Sequence, residues 1–471
     1  MEQDLIGNKE IPGDVYYGIH TLRAKENFAV SGQRVHPELI MALATVKQAA
    51  AETNMNLGML ERQIGSAIFQ AASEVSEGKY ADQFIVDAFQ GGAGTSTNMN
   101  VNEVVANRAI EILGGNKGDY SLVHPLDHVN MSQSTNDVYP TALRIASIRL
   151  LVKLSEACAE LQGALQAKEA EFAGVVKIGR TEMQDALPVT LGQEFSAWAE
   201  AIARDRWRLY KVEERLRQIN MGGTAVGTGL NARPEYIYSV VESLRALTGL
   251  GLARNENLID GTQNADVFAE VSGLVKACAA SLVKISSDLR LLSSGPAAGL
   301  GEIKLPELQA GSSIMPGKVN PVLPEMMTQV AYQVMAGDLA ITLAVQAGQL
   351  ELNAFLPLVG ANLLPALDTL SRSMCLLARR CINGIEAVPE KCLAHLNNSF
   401  VIIAVIAPHV GYDAVSALAR KALKNGRTVK ELVLEAGLFT ESELNHLLSP
   451  KEATRPGMAG KDIKMISAPG R

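Results

Sequence analysis

The segment GSSIMPGKVNP (311–321) gathers groups that can do proton chemistry: two hydroxyls, Ser312 and Ser313, the ammonium of Lys318 and the amide of Asn320. Gly311 and Gly317 permit unusual backbone angles, while Pro316 and Pro321 punctuate the loop. Pro321 also suits the first turn of a following helix. A serine hydroxyl is barely ionised at neutral pH and is a poor base alone. A nearby ammonium and inward-facing backbone N–H groups would stabilise its alkoxide. The same composition also describes a solvated, flexible surface loop, and the residues alone leave both readings open.

Four further stretches are rich in Gly, Ser, Thr and Asn: QGGAGTSTNMN (90–100), HVNMSQSTND (128–137), GRTEMQD (179–185) and GGTAVGTGLN (222–231). Uncharged hydroxyl and amide donors beside helix N-termini suit a carboxylate. For any one stretch, ordinary N-capping competes with that reading. Several such loops in one chain, each before a long helix, point to a shared anion site.

These loops need a rigid scaffold to hold them. Helical periodicity almost free of Gly and Pro covers about 141–172, 191–220, 265–292, 321–346 and 350–381. Such lengths exceed the ~12 residues of an average helix and predict a mainly α protein with a central bundle of long helices. Strand signals are weak and short. Composition shifts suggest an N-terminal domain (1–137), a central helical domain (138–388) and a small C-terminal domain (389–471).

The chain has 471 residues, with 43 Lys plus Arg against 50 Asp plus Glu, a formal charge of −7. That balance gives no reason to expect a nucleic-acid partner. No apolar run approaches the ~18 residues of a membrane span, and VIIAVIA (401–407) ends at Pro408. The opening MEQDLIGNKE lacks the layout of a signal peptide. The five cysteines are scattered and form no C-x-x-C pair, which suggests reduced thiols in a cytoplasmic protein. Neither a metal nor a cofactor is expected.

GSSIMPGKVNP resembles the signature of the aspartase/fumarase superfamily, and the other four stretches resemble its remaining motifs in the expected order. The resemblance runs from IPGDVYYGIHTLRAKENF (11–28) to ATRPGMAGK (453–461). YYGIHTLRAKENF, QSTNDVYP (133–140) and AGQLELN (347–353) resemble aspartases more than fumarases. The resemblance implies a homotetramer whose subunits share a core of twenty long helices, with each active site built from loops of three subunits. It implies reversible deamination of L-aspartate to fumarate and ammonia, with no cofactor. The alternatives are fumarate hydratase on the same scaffold, or a lyase acting on a substituted aspartate. A structural, lens-crystallin role would predict a damaged signature loop, whereas Ser312, Lys318 and Asn320 are all present.

Carried over residue by residue, Ser312 resembles the catalytic base that takes a proton from the carbon beside the side-chain carboxylate, through an enediolate-like intermediate. Thr95, Ser134, Thr135 and Ser313 match the residues that hold that carboxylate. Lys318, Asn320 and Thr181 match the ligands of the other carboxylate, and Asn136 matches a contact to the amino group. Arg23 would either add positive charge or form a surface or interface salt bridge. Two departures stand out. Glu182 replaces the His or Gln of relatives at a position that would face the amine, unless its side chain turns to solvent. Ala297 stands where relatives usually carry Arg. His124 and His128 resemble part of a secondary anion site of fumarases, with a structural role as a capped loop the preferred reading.

Overall fold

The computed structural model describes residues 1–461. By mutual contact the chain forms two compact units, one of residues 1–156, 205–280 and 330–371, the other of 157–204, 281–329 and 372 onward. The protein is mainly α. The first unit opens with a hairpin of β1 (Glu2–Asp4) and β2 (Gly7–Lys9). The helices α1 (Ile19–Asn27), α2 (Pro37–Asn56), α3 (Arg62–Ser76) and α4 (Thr95–Ile112) follow. The long helix α5 spans Thr135–Glu171. Antiparallel strands β3 (Val176–Thr181) and β4 (Gln184–Thr190) lead into α6 (Leu191–Glu213). Then come α7 (Pro234–Thr248), α8 (Leu258–Gln263), α9 (Asp266–Leu292), α10 (Val322–Gln346) and α11 (Leu356–Arg380). Helix α12 (Pro389–Asn398) packs on β3.

Five shorter helices follow between 401 and 453. They close around an apolar core that includes Ile402, Ile406, Val433, Leu444 and Leu447. Capping boxes at Thr428/Glu431 and Thr440/Glu443 start two of them. Among the described residues no single helix is long and apolar enough to cross a membrane.

The five long helices match the periodicity, with shifted ends. Helix α5 begins at Thr135 rather than near 141, because Pro140 reads as a helix breaker yet lies inside the helix. A proline cannot donate to the carbonyl four residues back. That carbonyl, of Asn136, instead accepts from Asn220 Nδ2 at 3.0 Å. Helix α11 starts at Leu356, after a bend at Leu350 (φ 53°) and a short bridge between Gln349 and Leu352. Helix α6 ends at Glu213 and tightens into a 3₁₀ turn, Glu214–Arg217.

Candidate functional site

In the first unit, only the first half of the stretch 90–100 is the loop its composition suggests. Gly94 (φ 95°) caps α4, and Thr95 is already helical. Glycine is required there, because a Cβ would run into the Tyr139 ring. The polar residues that follow are buried and wired. Asn100 accepts from Ile85 N at 3.2 Å and donates to Gln83 O at 3.1 Å. Glu103 accepts from the backbone of Gly18, His20 and Thr21 and from the Thr21 hydroxyl.

Ser134 caps α5. Its oxygen accepts from Asn136 N at 3.3 Å. Asp137, three residues on, reaches back to Ser134 N at 2.9 Å, as in a capping box. The other oxygen of Asp137 accepts from Gly222 N and Thr224 N, both at 3.1 Å, and so docks the 222–231 stretch on the helix start. Burial pushes the Asp137 carboxyl up to about 6, although these N–H donors and the charge of Lys47 oppose the rise.

The hydroxyls of this unit are not equivalent. Thr95 Oγ1 donates to Gly92 O at 2.7 Å, so its hydrogen is already used. Thr135 Oγ1 accepts from Asn98 Nδ2 at 3.1 Å, and among the described residues nothing takes its hydrogen, which stays available to donate. Ser134 likewise has a free hydrogen. Asn136 is half committed, with Nδ2 donating to Ala225 O at 2.7 Å. Asn98 brings the starts of α4 and α5 together, so Thr95, Ser134, Thr135 and Asn136 belong to one cluster.

In the second unit, the 311–320 loop folds back on itself. Gly311 N donates to Lys318 O, and Asn320 Nδ2 donates to Gly311 O, both at 2.9 Å. A Cβ on Gly311 would collide with the Lys318 carbonyl, and Gly317 holds φ 83°. Inside this closed loop Ser312 Oγ accepts from the backbone N–H groups of Ile314 and Met315, each at 3.2 Å. Two N–H donors aimed at one hydroxyl oxygen favour its deprotonated form. Ser313 and Lys318 are exposed, and no hydrogen bond or ion pair engages the Lys318 ammonium among the described residues. A cavity of about 360 Å³ opens beside the loop and is lined by Ser312, Met315 and Lys318.

Thr181 and Glu182 stand at the tip of the β3–β4 hairpin, both exposed. Glu182 (φ 53°) and Met183 (φ 65°) form its two-residue turn with both residues left-handed. Such turns favour Asn and Gly, so a Glu–Met pair there is held against its local preference. The anchor lies one residue before the tip. Arg180 pairs with the fully buried Glu302 at 2.8 and 3.1 Å. Lys177 lies 3.1 Å and His395 2.9 Å from the same carboxylate. Burial pushes Glu302 up, but Arg180, Lys177 and His395 together hold it below the usual carboxylate range.

Arg23 is taken up by a bidentate pair with Asp4 at 2.7 and 2.9 Å. His124 and His128 stand four residues apart, a spacing that also occurs in metal sites. His124 Nδ1 caps a π-turn, Pro125–Val129, by accepting from Leu126 N and Asp127 N, and His128 Nδ1 accepts from His124 N. No cluster of three His, Cys, Asp or Glu arranged to hold a metal occurs among the described residues.

Lys47, Asn98, Asp137, Arg180 and Glu302 are not among the residues singled out from the sequence. Lys47 had a signal, as a lone cation inside the apolar run ALATVKQAAA. Arg180 and Asp137 lie inside motifs already singled out, whereas the pairing of Arg180 with Glu302 spans 122 residues and leaves no local trace.

Residues 7–336 match the family described as Lyase, and residues 402–455 match that of the fumarase C C-terminus. A Bacillus sp. protein named aspartate ammonia-lyase is 51% identical over 461 residues, covering 98% of each chain. The aspartate ammonia-lyase of Escherichia coli K12 is 44% identical, covering 98% of this chain and 97% of its own. A solved fumarate lyase:delta crystallin from Brucella melitensis superposes with TM-score 0.93 at 48% identity, covering 97% and 99% of the two chains. A class II fumarase from Schistosoma mansoni superposes with TM-score 0.91 at 34% identity, covering 96% and 98%. With both unit-level clusters built on the stretches that carry the resemblance, and with matches over nearly its whole length, the chain belongs to the aspartase/fumarase superfamily of lyases, on the aspartate ammonia-lyase side.

Proposed function

We propose that this protein deaminates L-aspartate reversibly to fumarate and ammonia, with Ser312 as the general base. The observation that carries the reading is the pair of backbone N–H groups on Ser312 Oγ. They stabilise an alkoxide that is otherwise inaccessible at neutral pH. The alkoxide takes a proton from the carbon next to the side-chain carboxylate. The electron pair moves into that carboxylate, giving an enediolate-like dianion. It then returns to form the carbon–carbon double bond as the C–N bond breaks, and the ammonium leaves as ammonia.

Ser134 and Thr135, with hydroxyl hydrogens to spare, donate to the oxygens where this charge develops. Ser313 and Thr95 join them, Thr95 only after it releases Gly92 O. Lys318, Thr181 and Asn320 bind the other carboxylate, Lys318 by its charge. Asn136 and Glu182 face the amine. A carboxylate at 182 binds an ammonium strongly, which favours an amino acid over a hydroxy acid and so aspartate over malate. Fumarate as the sole C4 product from L-aspartate, followed by its ultraviolet absorbance, tests the reading; turnover of malate but not of aspartate contradicts it.

The protein acts as a homotetramer with sites shared between subunits. Tyr332, Leu339 and Leu343 are half or more exposed on α10 and are spaced to share one face. Exposed aromatic and aliphatic groups of this kind call for a partner surface, and we assign further copies of the chain to it. The five cysteines, scattered and without a C-x-x-C pair, accord with a reducing, cytoplasmic setting.

A further inference from the structure

Lys47 lies midway along α2 and is fully buried. A lysine stripped of water usually acquires a carboxylate partner or loses its proton. Among the described residues the Lys47 nitrogen meets only neutral oxygens, Asn130 Oδ1 at 3.0 Å and Gln133 Oε1 at 2.9 Å. Burial pushes it down to about 7, and the charge of Asp137 acts the other way without an ion pair.

Even when it has lost its proton, the Lys47 nitrogen keeps two N–H donors, one for each of these oxygens. It therefore dictates which end of a neighbouring amide faces it, and Asn130 must present its oxygen. That oxygen then receives the amide N–H groups of Asn98 and Asn102, both at 3.2 Å. The second hydrogen of Asn98 Nδ2 goes to Thr135 Oγ1 at 3.1 Å. A hydroxyl whose oxygen is occupied in this way turns its hydrogen elsewhere. The arrangement has a visible cost, because the side-chain oxygens of Asn98 and Asn102 are buried without a partner among the described residues. Turning either amide about would set its oxygen against Asn130 Oδ1, and Asn130 cannot turn to offer its NH2 instead because Lys47 donates to that oxygen.

Gln133 is held as firmly. Its Nε2 donates to Val129 O and Met131 O, each at 3.0 Å. Ser132, left-handed at φ 63°, is pinned by a bond from its hydroxyl to Asn54 Oδ1 at 3.1 Å. The turn that delivers Ser134 and Thr135 is thus wired from beneath by side chains of α2 and α4.

We propose that Lys47 is a positioning residue: its buried amino group, by donating to Asn130 Oδ1, sets the polarity of an amide chain, Asn130 then Asn98, that leaves the Thr135 hydroxyl hydrogen to donate to the substrate carboxylate. The proposal rests on Thr135 being a carboxylate ligand.

Lys47→Met keeps the aliphatic bulk and removes the charge and the donors. The inhibition constant of succinate, a dicarboxylate without an amine, and the KM for L-aspartate both rise about tenfold or more, the scale of a lost charge-assisted hydrogen bond. Gel filtration and circular dichroism remain those of the wild type. Asn98→Ala cuts the link to Thr135 yet leaves Lys47 both acceptors; it gives the same rise, and it decides the matter if Lys47→Met does not fold. Either variant, folded and with unchanged KM and succinate inhibition, overturns the proposal, as does a lowered melting temperature alone. A wild-type protein that does not bind succinate would sink the functional reading and the proposal with it. Normal wild-type binding matched by the variants sinks the proposal alone.

Discussion

At the scale of single residues, the protein separates hydroxyls by what their oxygens receive. Ser312 collects two N–H donors placed to stabilise an alkoxide, whereas Thr135 collects one amide and keeps its hydrogen to donate. The role proposed for Glu182 is separable from theirs. Glu182→Gln should raise the KM for L-aspartate about tenfold while leaving succinate inhibition unchanged, since succinate has no ammonium to lose. Steady-state kinetics with the two ligands checks this, and equal losses for both would contradict it.

The buried pair Lys47 and Asp137 also predicts a pH dependence of stability. Lys47 is at about 7 in the folded chain and at its ordinary value near 10.5 when unfolded, so between these the unfolded state holds more protons. Stability therefore rises with pH across that window, by at most about 1.4 kcal/mol per pH unit. Asp137 is shifted the other way, from 3.8 to about 6, so its contribution falls as pH rises between those values and is constant above. Denaturant unfolding at pH 7 and 9 should show the rise in the wild type and a flatter response in Lys47→Met. A slope unchanged by the substitution contradicts the assignment.

At the scale of elements, two close approaches position the site. Gly94 combines a positive φ with contact against Tyr139, so Gly94→Ala should destabilise the protein by about 1–3 kcal/mol. Gly311→Ala would instead open the 311–320 loop at the Lys318 carbonyl and cut turnover with little change in the melting temperature, because the loop lies outside the apolar core. Calorimetry and turnover measured on both variants separate the two effects.

The sequence was legible here in part. Periodicity located the five long helices, because an apolar face repeats every turn whatever surrounds it. It did not reveal α2 or α4. Helix α2 is buried nearly all round, which erases the stripe. Helix α4 buries Asn98, Asn100, Asn102 and Asn107, residue types that read as loop until their partners are known. The site motifs were readable as strings, and their chemistry needed coordinates. That Thr95 spends its hydrogen on Gly92, or that Arg180 is clamped by Glu302, depends on contacts no local pattern carries.

For the whole molecule, the proposed sharing of sites between subunits makes assembly a condition of activity. The exposed face of α10, with Tyr332, Leu339 and Leu343, is the element to test. Leu339→Glu should yield a smaller species in analytical ultracentrifugation and abolish turnover while far-ultraviolet circular dichroism stays helical. A dissociated chain that retained full activity would contradict sites shared between subunits.

The claim on which all else depends is that the Ser312 alkoxide removes a proton from aspartate. Purified wild-type protein and Ser312→Ala, each offered L-aspartate and then malate while the absorbance of fumarate is followed, test it most directly. The account predicts fumarate from aspartate with the wild type, little from malate, and a fall in kcat of about a thousandfold or more for Ser312→Ala with its helical content intact. Near-normal deamination by Ser312→Ala would contradict it.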